Sequence, residues 1–456
     1  MRKWNKAARG GFRETIWDLR RDNTDGCAGA RSALLGSGYL TVLAQAITTG
    51  TFFTALLIAM GASETYIGYV TMATTLCMAV QFPAPLFWER LKSRKSLILW
   101  LGALGDLLTY LGLPVVVMLN ITPALKLVLY MVLTLISGCI NQFCLPARNA
   151  WMMQSIPFSK RVSYSSLTSM VHTVINVVCV FLAGLFMDGF EKWAEAWGAL
   201  SPTLIAIFIL RAVGFILTLI STIWMARRVM EFPYSGDEAP KIRLSMLMEP
   251  LHNKPFFKVI LIPCLWAMIG GMIGNYFNLH LIENVKMSYT VISSASFIST
   301  PVILLMTPLW TRILRKKDWI KTIAWAILGY CLAYCCNVLI SKETPYFFFI
   351  AIIVGHLFSP GINMVSNNLI YVHMPEENRT SYFAFYSLLT TIFSFIGQAF
   401  GTWFISVSSS LGFNIFGIPV TNLQFISALA AIFGVILVGM MLLTKIWRGA
   451  AVHSED

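Results

Sequence analysis

The sequence predicts an all-α membrane protein of twelve transmembrane helices, arranged as two pseudosymmetric six-helix bundles. Three observations predict this fold: an apolar composition, twelve long apolar windows, and an internal repeat. The chain has 456 residues, of which 57% are hydrophobic and 12% are charged, and its mean hydropathy is +0.70. This composition is too apolar for a water-soluble globular protein.

Each apolar window has about 20 residues or more, which is enough to cross roughly 30 Å of hydrocarbon as an α-helix. The chain shows no alternating ten-residue pattern, so the windows predict helices rather than strands of a membrane barrel. The windows are residues 33–60, 64–88, 96–118, 124–153, 162–187, 203–226, 257–282, 289–311, 319–341, 346–373, 381–408 and 421–446.

The lysines and arginines concentrate on one side of the predicted membrane spans. They cluster in the N-terminal segment, in residues 90–95, in the central polar stretch and in residues 312–321. The positive-inside rule therefore predicts a multi-pass protein of the plasma or inner membrane with both termini in the cytoplasm. The net charge of +13 reflects this topology, and we expect no nucleic-acid partner. The opposite side holds Lys126, Lys192, Lys286 and Lys342.

The longest polar stretch lies in the middle of the chain and is rich in Pro, Gly, Ser and charge, as expected of a linker. The predicted organisation has five parts. They are a cytoplasmic amphipathic segment (1–32), an N-terminal six-helix bundle (33–226), a cytoplasmic linker (227–256), a C-terminal six-helix bundle (257–446) and a cytoplasmic tail (447–456).

The two halves repeat a pattern of polar residues. Charged residues after the second helix of each half align at an offset of 222, and residues after the fourth helix align at 218. Both copies begin and end on the same side, so the repeat is parallel. The aligned pairs are Arg90 with Arg312, Arg94 with Lys316, Lys95 with Lys317, Asn149 with Asn367, Pro157 with Pro375 and Arg161 with Arg379.

With these segments the chain resembles the major facilitator superfamily, over essentially its whole length. The family's loop signature looks like Gly-x-x-x-Asp-Arg-x-Gly-x-Arg-Lys, although Pro85 and Lys92 stand here in place of the two glycines. The resemblance implies a gating role for the charged residues, whereas the alternative is a turn anchored to anionic lipid. The candidate gating residues are Glu89, Arg90, Arg94, Lys95 and Arg312.

The resemblance also implies that the first, fourth, seventh and tenth helices line a central cavity. A polar residue at membrane depth is costly unless it is paired or lines water, so the polar residues of these helices are candidate substrate-binding residues. Amides together with a guanidinium suit a sugar, a nucleoside or an organic anion. The candidates are Gln45, Asn141, Arg148, Asn149, Asn275, Asn278, Asn363, Asn367 and Asn368.

Arg148 is the candidate that distinguishes the two halves, because the 218-residue offset places Ser366 opposite it. This asymmetry suits an anionic or polyhydroxylated solute. Two other interpretations stay open: Arg148 forms a structural ion pair, or its side chain reaches the nearby headgroups.

Asp106 and His172 are the candidate coupling residues, because a titratable group at membrane depth can carry a proton. Asp106 has two interpretations. It either pairs with Arg211, which lies at a similar depth, or it lacks a cation and carries protons.

The function predicted from these features is secondary active transport of a small polar or anionic organic solute by alternating access, coupled to H⁺ or Na⁺. The sequence has no Walker motif, so an ion or solute gradient is the expected driving force. The alternative is a lipid or amphiphile flippase on the same fold. We expect a monomer in the lipid bilayer, with no enzymatic activity, cofactor or metal site.

Overall fold

A computed structural model describes residues 27–88, 91, 93–156, 158–196, 202–231, 249–371, 373–375, 379–409, 413–415 and 418–443. These residues form helices throughout, with one short hairpin near the end, so the predicted all-α membrane fold is confirmed. The helices before the linker are α1 (Ala28–Ala46), α2 (Thr51–Ala59), α3 (Glu64–Met78), α4 (Ala84–Trp88), α5 (Lys95–Met118), α6 (Pro123–Gln154), α7 (Phe158–Ala196) and α8 (Pro202–Arg228).

The helices after the linker begin with a long segment that is interrupted once, between α9 and α10. The hairpin pairs its strands antiparallel, with Phe413 opposite Val420. The elements are α9 (Lys254–Ile273), α10 (Tyr276–Leu279), α11 (Tyr289–Leu314), α12 (Trp319–Val338), α13 (Phe347–Leu369), α14 (Arg379–Ser408), β1 (Phe413–Ile415), β2 (Ile418–Val420) and α15 (Asn422–Leu443).

Ten helical spans in the described part of the chain are long and apolar enough to cross a membrane, and α1 with α2, bent by 44°, makes an eleventh. The predicted window 64–88 is different, because it divides into α3, a 3₁₀ turn at Ala79–Gln81 and α4. Pro83 and Pro85 lie in this window and lack the N–H that would continue the helix. Within the described residues the predicted count of twelve spans is therefore not fully confirmed.

Side-chain caps fix where several helices begin. The Ser63 hydroxyl accepts a hydrogen bond from the Tyr66 N–H at the start of α3, and the Asn253 side chain accepts from the Phe256 N–H at the start of α9. A capping side chain satisfies one of the N–H groups that have no partner within the helix.

Large apolar side chains are exposed on the outer faces of the helices. Trp100, Leu305 and Trp325 are 75%, 70% and 62% exposed, respectively. Such side chains on a water-soluble protein would form large exposed apolar patches, whereas in a bilayer they contact lipid. The exposed faces agree with a multi-pass membrane protein.

Contacts divide the chain into two compact units. The first unit contains the described residues up to Phe52 and from Pro83 to the linker, and the second contains Phe53–Phe82 and the described residues after the linker. The residues 53–82 thus pack in the second unit, although the sequence assigns them to the N-terminal bundle. The six-plus-six organisation, which follows from the repeat, stays a prediction.

A repeated tryptophan contact shows the internal symmetry inside each unit. The indole N–H of Trp88 donates to the Phe143 carbonyl at 2.8 Å, and that of Trp310 donates to the Leu357 carbonyl at 2.8 Å. Each carbonyl lies three residues before a proline inside its helix, Pro146 in α6 and Pro360 in α13. Proline disturbs the hydrogen bonding of the preceding turn, so each indole stabilises the polar backbone beside a helix proline.

These contacts also correct one alignment of the repeat. They pair Pro146 with Pro360, an offset of 214 residues, so Arg148 corresponds to Ile362 and not to Ser366. The physical reason is that the second half has about one more helical turn between its helix proline and the loop that follows. Arg148 still has no counterpart arginine.

Replacing Trp310 tests whether the indole contact stabilises the backbone beside the helix proline. We expect Trp310→Phe to destabilise the protein by about 1–3 kcal/mol, because the Leu357 carbonyl loses its donor within the protein interior. The measurement is thermal unfolding of the purified protein. Trp325→Phe is the matched control because Trp325 is exposed; equal melting temperatures for both variants would contradict the assigned role.

Candidate functional site

The first unit encloses a polar cavity of about 330 Å³ between α1, α5, α6 and α8. Four of the predicted functional residues line it together: Gln45, Asp106, Asn141 and Arg148. Its volume lies within the range of roughly 300–1,000 Å³ that is usual for small-molecule sites. The other lining residues are Thr41, Thr48, Thr49, Ile98, Gly102, Thr109, Tyr110, Leu113, Gln142, Cys144, Leu145 and Arg211.

Asn141 is held in place by a short chain of hydrogen bonds across α5 and α6. Its Nδ2 donates to Thr109 Oγ1 at 3.3 Å, and the Thr109 hydroxyl donates to the Gly105 carbonyl at 2.8 Å. A methyl group at Gly105 would collide with Asn141 Oδ1. Only a residue without a side chain at 105 therefore lets the Asn141 amide lie against α5.

Arg148 projects from α6 into this cavity, two residues after Pro146, and is half-buried. Within the described residues its guanidinium donates no hydrogen bond to the protein, and its electrostatic partner is the Asp106 carboxylate. A guanidinium carries five donors in a planar fork. Arg148 therefore keeps its donors available to a molecule in the cavity.

Arg211, by contrast, donates to the main chain from both terminal nitrogens, while its buried Nε has no hydrogen-bond partner in the described residues. It is buried, with 2% of its surface exposed, and it donates to the Thr109 carbonyl at 2.8 Å and the Thr48 carbonyl at 3.5 Å. Both carbonyls lie where regular helical bonding fails: Thr109 is in the π-helical turn Leu108–Gly112 of α5, and Thr48 follows the end of α1. Of the two interpretations of Asp106, pairing with Arg211 is therefore not the arrangement seen here, since Arg211 donates to main-chain carbonyls instead.

Asp106 borders two cavities of the first unit. Besides the polar cavity, it lines an apolar cavity of about 230 Å³ between α5 and α8. This second cavity is lined mainly by large apolar side chains, of which Leu104 and Trp100 are exposed. The remaining lining residues are Ala103, Leu107, Phe215, Thr218, Leu219 and Thr222.

Two candidate binding or coupling residues of the first unit, Asn149 and His172, lie outside both cavities. Asn149 is exposed on α6, next to Arg148 in the sequence. His172 packs edge-on against Tyr39, with ring centroids 5.8 Å apart, and its buried Nε2 has no hydrogen-bond partner in the described part of the chain. The structure thus separates His172 from the cavity that holds Asp106.

The predicted amides of the second unit lie at α10 and on α13. Asn275 donates from Nδ2 to Thr71 Oγ1 at 2.9 Å, and Asn278 lies three residues further on, in α10. The three asparagines of α13 are exposed, and Asn368 donates to the carbonyl of its own helix at Met364, at 2.7 Å. These three are Asn363, Asn367 and Asn368.

The predicted gating residues are only partly described. Glu89 and Arg90 lie outside the described residues, and Arg312 is exposed in the last turn of α11. At the start of α5, Glu231 Oε1 accepts from the N–H of Arg94 at 2.6 Å and of Lys95 at 3.2 Å. Glu231, which sequence reasoning missed, therefore caps the helix that follows the basic loop.

Because Glu231 caps α5 as a carboxylate, we expect acid to reduce its contribution to the stability of the folded protein. Desolvation acts to raise the pKa of Glu231. Hydrogen bonds from the Ser93 side chain and from the Lys95 and Arg94 backbone N–H groups act in the opposite direction, as does the charge of Lys95. The net result is a pKa below the ordinary value of 4.5. A pKa lowered by folding means that the carboxylate stabilises the folded protein above the unfolded pKa, and this contribution is lost as the pH falls through the folded pKa.

We therefore expect Glu231→Gln to lower the melting temperature slightly at pH 7, and the difference to shrink as the pH falls through the folded pKa toward pH 3. The effect is a few tenths of a kcal/mol because Glu231 is exposed. Thermal unfolding of both proteins over this pH range measures it. A difference between the two proteins that is as large at pH 3 as at pH 7 would show that the charge of Glu231 is unimportant.

The comparisons with known proteins agree on one fold. The family profile described as the Major Facilitator Superfamily matches residues 35–398. A bacterial homologue of the iron transporter ferroportin, in an inward-facing state, superposes with a TM-score of 0.68 at 14% identity, covering 91% of this chain and 98% of that one.

Two further solved structures are similar. The nucleoside transporter NupG gives a TM-score of 0.62 at 13% identity, covering 93% of this chain and 100% of its own. A bacterial homologue of the human lysosomal transporter Spinster gives 0.64 at 14% identity, covering 93% and 98%. A search of curated proteins finds no match.

Proposed function

The chain belongs to the Major Facilitator Superfamily, and from this premise we propose that it is a secondary active transporter of a small anionic organic solute. The solute binds in the polar cavity of the first unit, where Arg148 pairs with its anionic group. One observation carries the proposal: Arg148 lines the cavity, and its guanidinium donates no hydrogen bond within the described protein.

The charge balance of the cavity supports an anionic solute. Arg148 and Arg211 carry two positive charges there, and Asp106 supplies the one carboxylate among the lining residues. Arg211 is already bonded to main-chain carbonyls, so Arg148 is the group that recognises the solute. A guanidinium binds a carboxylate or phosphate through two parallel hydrogen bonds, which adds specificity to the attraction of charge.

Gln45 and Asn141 complete the proposed recognition site from α1 and α6. Their amides offer both donors and acceptors to hydroxyl or carbonyl groups of the solute. Asn141 is already fixed against Thr109, so it is positioned before the solute arrives. A fixed polar group lowers the entropy cost of binding.

We further propose that Asp106 couples transport to protons. Its carboxylate shares the cavity with Arg148, and Arg148 is its electrostatic partner. A solute that binds Arg148 competes with Asp106 for the guanidinium, so binding and protonation are linked. In this scheme the protein is a monomer in the cell membrane with both termini in the cytoplasm.

Replacing Asp106 tests the coupling. We expect Asp106→Asn to abolish uptake driven by a pH difference while exchange of labelled for unlabelled solute continues, because the amide cannot carry a proton. Uptake into proteoliposomes measures both activities. His172→Asn is the parallel variant; loss of proton-driven uptake there, with Asp106→Asn unaffected, would assign the proton to His172.

One observation favours a second candidate, a lipid or amphiphile flippase. The apolar cavity beside Trp100 and Leu104 meets the polar cavity at Asp106. An amphiphile could place its tail in the apolar cavity and its charged headgroup at Arg148. The polar cavity is the larger of the two, which is why we favour a small solute.

A thermal-shift screen separates the two candidates, since a ligand that binds only the folded protein raises its melting temperature. The purified protein is heated with organic anions, sugars, nucleosides and short-chain phospholipids. We expect stabilisation by a small organic anion, followed by its uptake into proteoliposomes. Stabilisation by phospholipids alone, with movement of labelled lipid between leaflets, would favour the flippase.

A further inference from the structure

The second unit contains a break within a membrane-spanning segment. The segment Lys254–Asn284 is one apolar span, yet α9 ends at Ile273 and α10 begins at Tyr276. Gly274 has φ +42, a conformation that favours glycine, and it turns the chain at this point. The C-terminal end of α9 carries the negative end of the helix dipole, and its last carbonyls lack helical partners.

A small cavity of about 10 Å³ lies at this break, close to the space that one water or one small ion occupies. Oxygen-bearing side chains reach it from three helices: Thr71 from α3, Tyr276 from α10, and Gln398 and Thr402 from α14. Gly271 and Gly274 contribute only main chain. The lining contains no lysine or arginine.

One side chain that lines this cavity carries an oxygen without a partner in the described protein. Gln398 is 9% exposed, and its Oε1 is buried without a hydrogen-bond donor. A buried acceptor without a donor costs about 1–3 kcal/mol, so native structures rarely leave one unsatisfied. Since Oε1 of Gln398 is an acceptor, its partner must be a hydrogen-bond donor or a cation.

The hydroxyls of two other lining residues each accept one hydrogen bond. Thr402 Oγ1 accepts from the Tyr276 hydroxyl at 3.1 Å, and Thr71 Oγ1 accepts from Asn275 Nδ2 at 2.9 Å. Each threonine oxygen has two lone pairs and therefore keeps one for a further partner. Together with Gln398 they form a set of neutral oxygens beside the negative end of a helix.

We propose that this cavity binds Na⁺. Neutral hydroxyl, amide and main-chain oxygens are the ligands that hard cations prefer, and broken helices in transporters hold Na⁺ at unwound carbonyls and helix C-terminal ends. A carboxylate lies nearby, since Glu64 precedes Gly68 by one turn of α3 and accepts from Asn422 at 3.1 Å. Of the two abundant monovalent cations Na⁺ is the smaller, so the small volume of the cavity favours Na⁺.

The inference goes beyond the proposed function, because this cavity lies in the second unit and shares no residue with the anion-binding cavity of the first. Na⁺ bound here would hold α3, α14 and the break together. The Na⁺ site can be tested by ion binding alone. The result of that test therefore does not depend on whether the transport proposal is correct.

The test is the thermal stability of the full-length purified protein in NaCl, KCl and choline chloride at equal ionic strength. We expect a Na⁺-specific rise in melting temperature of about 2–5 °C, together with ²²Na⁺ binding that unlabelled Na⁺ displaces and choline does not. Equal stability in all three salts with no ²²Na⁺ binding would overturn the proposal and leave a water molecule as the occupant.

Variants assign the ion to this cavity. Gln398→Leu and Thr402→Val should each lower ²²Na⁺ affinity at least tenfold. Thr391→Val is the matched control on α14, since Thr391 donates to its own helix at Ser387, and it should bind as the original protein does. Unchanged Na⁺ affinity in Thr402→Val would overturn the assignment. If Gln398→Leu does not fold, Thr402→Val alone tests whether the ion binds in this cavity.

Discussion

Arg148→Ala is expected to reduce solute transport by about 10–100-fold, because the lost charge-assisted hydrogen bonds are worth about 1.5–3 kcal/mol. The melting temperature should stay nearly unchanged, since Arg148 donates no hydrogen bond within the described protein. Removing a positive charge from beside Asp106 is the main structural cost. Uptake into proteoliposomes, with matched protein amounts, measures the effect.

Two variants sharpen this prediction. Arg148→Lys keeps the charge but not the planar fork, so we expect partial activity. Arg228→Ala removes an exposed arginine from the end of α8, far in sequence from the cavity lining, and should transport normally. If Arg148→Ala transports as Arg228→Ala does, Arg148 does not bind the solute.

The second large effect concerns the packing of α9 against α14. A methyl group at Gly397 would collide with the Met268 main-chain carbonyl, and one at Gly401 with that of Met272. A main-chain oxygen cannot rotate away, so the helices must separate. We expect Gly397→Ala to destabilise the protein by about 1–3 kcal/mol and to lower its melting temperature.

Gly439→Ala is the matched control for Gly397→Ala. A methyl group there meets no atom within 4 Å, and alanine favours a helix over glycine by about 1 kcal/mol. The two substitutions should therefore change the melting temperature in opposite directions. Equal, small effects would mean that α9 and α14 do not pack through Gly397.

The sequence predicts the fold well because its main signals are local. Long apolar windows set the spans, and a polar residue at membrane depth must avoid lipid. That rule identified Gln45, Asp106, Asn141 and Arg148, which the structure brings to one cavity. The same rule selected Asn363 and Asn367, which are exposed on α13, and their part in binding stays a prediction.

Other features depend on irregular backbone that sequence patterns do not reveal. The partners of Arg211 are carbonyls of a π-helical turn and of a helix end. Residue types alone therefore could not exclude the interpretation that Arg211 pairs with Asp106. Gln398 is similar. Its role depends on the break at Gly274 and on α3 packing in the second unit, and neither is visible in the sequence.

The repeat illustrates the same limit. Aligning the loops after the fourth helices gives an offset of 218, whereas the helix prolines Pro146 and Pro360 are 214 residues apart. Only the tryptophan contacts beside both prolines show which offset holds inside the helices. The lack of a counterpart to Arg148 holds under either offset, and it is one reason why we propose Arg148 as a binding residue.

The most direct test of the proposed function is an experimental structure with the solute that the thermal-shift screen identifies. We predict that its anionic group lies about 3 Å from the Arg148 guanidinium, with hydroxyl or carbonyl groups near Gln45 and Asn141. A solute bound elsewhere in the molecule, with Arg148 uncontacted, would contradict the account.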